Sequence, residues 1–160
     1  MLEKLSLIHV LMVVGAAACI YLVIRELRRA YVSQWRLFAP GTAALFVAAE
    51  MFLLQIAAGQ PRWPFLAALG IGLVVGGIRA MMIGLKHDLY RPQIMISMPA
   101  KQVLLLVGIG VGVCVALEIA GTVTHHPALR LWAALSAVVC AAAMLARALV
   151  LTIRLRSAPS

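Results

Sequence analysis

An all-α bundle of five membrane-spanning helices is the fold this sequence predicts, and three observations predict it. Hydrophobic residues make up 64% of the chain and charged ones only 12%, with a mean hydropathy of +1.05. That is too little polar surface to clothe a soluble domain. Five windows, approximately 5–24, 39–59, 65–85, 103–123 and 129–151, are long enough to cross a hydrocarbon core of about 30 Å, which takes about 20 helical residues. The apolar runs are continuous and lack period-2 alternation, so of the two structures that satisfy their own backbone hydrogen bonds in lipid, helix is chosen over closed barrel.

The first window contains Ala16-Ala17-Ala18-Cys19, which resembles a cleavage site. Its apolar run continues to Ile24, however, and its head, Leu2-Glu3-Lys4, has no net positive charge, so it reads as a retained anchor helix. The second window carries Glu50 near its middle. The third is glycine-rich and places Arg79 about 6 Å from its centre by helical rise. The fourth holds Glu118 in its later half, and the fifth holds Arg147 about 10 Å past its middle. Only short polar connectors separate them. The chain therefore reads as a single transmembrane domain, 1–160, whose chemistry must lie within the bundle or at its rims.

Lys and Arg set the expected orientation. Arg25, Arg28, Arg29 and Arg36 follow the first window, Lys86, Arg91 and Lys101 follow the third, and Arg154 and Arg156 follow the fifth, against Lys4, Arg62 and Arg130 on the other side. The N-terminus is expected outside and the C-terminus in the cytoplasm of a bacterial inner membrane. The net charge of +9 fits this bias and an attraction to anionic lipid headgroups. It does not fit nucleic acid, because the basic residues are split among short segments without a reading module. Trp35, Trp63, Trp132, Tyr21, Tyr31 and Tyr90 fall near window ends, as an interfacial aromatic belt would.

Ionisable residues inside apolar spans are functional candidates by default. Here they follow a repeated pattern: Val47-Ala48-Ala49-Glu50 precedes Arg79-Ala80 as Val115-Ala116-Leu117-Glu118 precedes Arg147-Ala148, each Glu-to-Arg interval being 29 residues. The pattern suggests parallel hairpin repeats, 39–85 and 103–151, with the first helix standing outside them. Depth makes Glu50–Arg79 the expected intramembrane pair. Buried pairs are best attested as devices that fix packing, so a helix lock is the preferred role and a substrate or proton pathway the alternative. Arg147 is expected to snorkel to the interface. Glu118, Arg147 and His9 are candidate relay residues. His9, His125 and His126 form the alternative of an outward metal or haem site, although His125-His126 lacks diagnostic ligand spacing and no cofactor is expected.

Packing signals are plainer. Gly72, Gly76, Ala80 and Gly84 recur at intervals of four in the third window, as do Gly108, Gly112, Ala116 and Ala120 in the fourth. Small residues at that spacing let helices approach closely in lipid, where van der Waals contact is the main attraction. Internal packing is preferred over an oligomer contact. Cys19, Cys114 and Cys140 form no Cys-x-x-Cys and read as small apolar fillers. No nucleophile elbow, phosphate loop or zinc helix is present, so no enzyme is expected.

The run Gly72-x-x-x-Gly76-Gly77-x-Arg79-Ala80, then Lys86-His87-Asp88, with the arginine-rich connector from Arg25 to Arg36, resembles the CcdC-like family of small bacterial membrane proteins. That resemblance covers about the first two-thirds of the chain and implies a fold; the family carries no established activity, and its name reflects an association with cytochrome c maturation. The sequence-level expectation is an accessory, assembly or interaction subunit that meets a membrane-protein partner or a second copy of itself. Its rival is a small transporter or proton-coupled permease using Glu50 and Glu118.

Overall fold

The computed structural model describes residues 7–28, 34–87, 94–96 and 98–157. Lys4, Arg29, Tyr31, Asp88, Tyr90 and Arg91 lie outside them. Within the described residues run α1 (Leu7–Leu27), α2 (Gln34–Ala57), α3 (Trp63–Met81), α4 (Met98–Thr124) and α5 (Pro127–Ser157). A short antiparallel ribbon, β1 (Leu85–His87) against β2 (Ile94–Ile96), joins α3 to α4, with Leu85 opposite Ile96. The sequence reading had placed only a polar turn there. Each of the five helices is long and apolar enough to cross a membrane, and the protein is accordingly a multi-pass membrane protein by length and composition.

Local signals explain the helix ends. Gly59 closes α2 with φ +81°, a left-handed conformation that costs glycine nothing, and the Gln60 N–H then donates to the Gln55 carbonyl at 3.0 Å. The same device closes α4: His125 takes φ 57°, and the His126 N–H reaches the Gly121 carbonyl at 3.0 Å. Pro127 then opens α5, a position where its missing N–H is no loss. A two-residue turn forces α4 and α5 into an antiparallel hairpin. The helix α2 begins ahead of Pro40 and carries it inside. The Pro40 carbonyl accepts the Cys19 thiol at 3.5 Å, tying α2 to α1.

The helix at the centre is α5, which packs along α2, α3 and α4. Its buried face is rich in alanine, with Ala134, Ala137, Ala141 and Ala148 all closed to solvent. Small side chains are what allow three neighbours to approach one helix. On the far side, α1 closes the bundle by packing against α2 and α4. Meanwhile α3 packs extensively only against α5, so it sits outside the ring formed by α1, α2, α5 and α4.

Glycine makes that last seam. A Cβ on Gly72 would lie 2.6 Å from the Val139 carbonyl oxygen, and one on Gly76 would lie 2.6 Å from the Ala143 Cα. Both pairs advance together along the chain, so α3 and α5 run parallel. Ala80 continues the buried face. Gly84 does not: it lies past the end of α3 with open space around it, so the expected four-step stripe stops at Ala80.

In α4, Gly108 and Gly112 receive Val23 and Ile20 of α1, each 3.1 Å from where a Cβ would stand. Ala116 is exposed, which corrects its assignment to the seam. The reason is geometric. At 3.6 residues per turn, a step of four drifts about 40° around the helix, so the stripe has rotated off α1 by Ala116. The two helices meet again at Thr122, opposite His9.

The end of α3 is held from outside itself. Arg154, on the part of α5 that extends beyond α3, donates through Nη1 to the carbonyls of Ala80, Met81 and Ile83 at 2.8, 3.1 and 2.9 Å. A cation at a helix C-terminus satisfies orphan carbonyls and opposes the negative end of the dipole.

The seam predicts a contrast between neighbouring glycines. Gly76→Ala must push α3 off α5 and should cost about 1–3 kcal/mol, seen as a lower melting temperature in detergent. Gly77→Ala meets open space and should leave melting unchanged or slightly raised.

Candidate functional site

Apart from Glu50 of α2, the charged groups inside the bundle gather toward its two ends. At the first end, where α1, α3 and α5 begin and α2 and α4 finish, Glu118 is completely closed to solvent. Arg130, one turn into α5, reaches back across the hairpin and donates from Nε to Glu118 Oε1 at 2.7 Å. The tight α4–α5 turn brings the two residues face to face. The sequence reading had counted Arg130 only as a charge on the outer side. An Arg at the start of a helix opposes the positive end of its dipole, and pairing with an acid across the turn compensates for that.

Beside this pair, Thr122 donates its hydroxyl to the Glu118 backbone carbonyl at 2.8 Å, and its oxygen lies 3.4 Å from His9 Nε2. With the hydroxyl proton committed, the oxygen is left to accept from the His9 ring. The buried His9 is thus a tie between α1 and α4. His125 and His126 are exposed and serve the turn. Among the described residues no group of three His, Cys, Asp or Glu side chains is placed to hold a metal ion. His9, His125 and His126 therefore do not assemble into the ligand set considered from sequence.

At the second end, Arg147 is only 8% exposed and donates from Nη2 to Glu26 Oε1 at 3.2 Å. This corrects the expectation that Arg147 snorkels, because its head turns inward to an acid at the end of α1. Sequence reasoning had passed over Glu26. The usable signal was depth: Glu26 is one residue from the end of α1, at the level Arg147 reaches after about 30 Å of α5. The pair is incompletely satisfied, since Glu26 Oε2 and Arg147 Nε are both buried without a hydrogen-bond partner.

The expected Glu50–Arg79 pair does not form. Arg79 is exposed in the last turn of α3, while Glu50 is buried in α2 at 9% exposure with Oε2 unpartnered. The cause is the glycine seam: it seats α3 on α5, and α2 and α3 touch at most glancingly. The two 29-residue intervals likewise lead to unlike settings. Glu118 and Arg147 each find a different partner, and neither Glu50 nor Arg79 finds one among the described residues. The α4–α5 hairpin is packed along its length, whereas the α2–α3 hairpin is splayed.

That splay leaves a cleft of about 360 Å³ between α2 and α3, floored by Val138, Ala141 and Ala142 of α5. Its walls are apolar, with Phe52 edge-on to Phe65 at 5.0 Å between ring centroids, and Arg62 stands among the lining residues. A second, smaller groove of about 100 Å³ lies between α3, α4 and α5 and is lined by both Arg79 and Arg147. Neither groove is lined by Glu50 or Glu118.

The two acids should respond differently to neutralisation. Arg130→Gln strands a buried carboxylate and should cost about 3 kcal/mol, partly recovered in the Glu118→Gln/Arg130→Gln double variant. Glu50→Gln removes no partner and should shift stability by less than about 1 kcal/mol. Denaturation in mild detergent with a double-mutant cycle measures both.

Compared with family models, curated proteins and solved structures, the chain finds no match.

Proposed function

We propose that the protein is an accessory or interaction subunit of the bacterial cytoplasmic membrane, with the α2–α3 cleft as the face that receives an apolar helix of a partner. The observation that supports this reading is the cleft itself, open where two consecutive helices would ordinarily close on each other, and lined mainly by leucine and alanine with two phenylalanines. Small residues and apolar side chains are how helices associate within lipid. Buried ion pairs then act as clamps: Glu118–Arg130 holds α4 to α5 at one end, and Glu26–Arg147 holds α1 to α5 at the other. The N-terminus faces outward in this reading, because Arg25, Arg28, Arg36, Lys101, Arg154 and Arg156 gather at the second end while Arg62 and Arg130 stand at the first. The weak likeness to CcdC-like proteins is compatible with an assembly role.

One observation favours a second reading. Glu50 is a buried acid without a counter-charge, as a proton-coupled permease would require. In that case Glu50→Gln abolishes proton flux in reconstituted vesicles while leaving the fold intact.

A photo-crosslinking residue at Leu66 or Leu73, both lining the cleft, tests the first reading against one at Val14, an exposed position on α1. Adducts with a separate membrane protein, formed only from the cleft positions in native membranes, are the expected result. Adducts of twice the chain's mass in purified protein identify a second copy as the occupant. Labelling from the cleft that is indistinguishable from Val14 defeats the interaction reading.

A further inference from the structure

We infer that the groove between α3, α4 and α5 at the second end is a binding site for the phosphate headgroup of an anionic phospholipid. Arg79 and Arg147 both line it. The parallel α3–α5 seam puts them at one level, since Gly76 meets Ala143 and the arginines follow three and four residues later. Arg147 is more than nine-tenths buried, yet its Nε has no partner, and only Nη2 is engaged by Glu26. A guanidinium presents five N–H donors in a planar fork suited to phosphate oxygens. Arg79 has no ion pair or hydrogen bond among the described residues.

Charge at this corner is in excess. Among the described residues, Arg147 and Lys101 both lie within electrostatic range of the Glu26 carboxylate, and Arg79 adds a further cation on the groove beside Arg147. The remaining wall is apolar, from Val103 and Val107 of α4 and Val75 of α3, running toward the middle of the spans. A free phosphate ion would leave that wall facing nothing suited to it. A phospholipid supplies both parts, an anion at the level of the arginines and an acyl chain along the valines. Basic pockets between membrane helices hold lipid headgroups by this combination.

The site is independent of the α2–α3 cleft, which lies on the other side of α3. Its test is retention of lipid by the purified full chain, measured by native mass spectrometry after equilibration with phosphatidylglycerol or with phosphatidylcholine of the same acyl chains. Phosphatidylglycerol should be retained in preference, and Arg79→Gln should weaken its retention about tenfold. Arg147→Lys keeps a charge for Glu26 but loses the fork, and should weaken retention as well. Arg62→Gln, which removes a cation from the other groove, should change nothing. Equal retention of the two lipids overturns the assignment, as does an equal loss in Arg62→Gln and Arg79→Gln. Displacement of the lipid by inorganic phosphate would show a soluble-anion site instead and would equally overturn it.

Discussion

Everything in this bundle depends on α5 being thin. A helix that must touch three others along its length cannot present leucine or phenylalanine to all of them, and the sequence answers with alanine at 134, 137, 141, 142 and 148. Within lipid, burial of apolar area gives no net drive for helices to associate, so close backbone approach has to supply the attraction. Half of the α5 span is buried inside the bundle, against 28–39% for the other four. The outer helices can accordingly spend their large side chains on lipid, as Leu66, Val74, Leu106 and Val13 do.

Polar contacts follow the same economy of placement. Both buried ion pairs include an arginine of α5, and each lies near one end of the spans. Desolvating a charge pair is costly in the hydrocarbon centre and less so near the interface, where the long arginine stem can approach water. The central helix therefore carries the specific contacts at its two ends and the nonspecific ones between. Glu50 stands apart from this arrangement, buried on a helix that offers it no cation.

The sequence showed depth well and direction poorly. Five spans were legible because bilayer thickness fixes their length, and the glycines at 72 and 76 announced a close seam because small residues at that spacing let helix backbones approach. Boundaries shifted where local chemistry intervened: the ribbon from Leu85 cut α3 short, and α5 ran on through Arg154 to cap its neighbour. The charge partners were misread because helical rise gives a residue's height but not the helix it faces. Glu50 and Arg79 were paired as members of consecutive spans, yet α3 had skipped its sequence neighbour for α5. Arg130 looked like a loop charge because the two-residue turn that folds it onto Glu118 depends on a left-handed His125, a conformation the residue type does not advertise.

The order in which the chain is made gives the α3 seam another meaning. Synthesis delivers the third span well before the fifth, so α3 enters the bilayer with its glycine face bare and its only extensive contact not yet translated. It must wait there without the helix it packs against until α5 arrives. A premature stop within α5 would therefore strand α3 rather than merely shorten the chain.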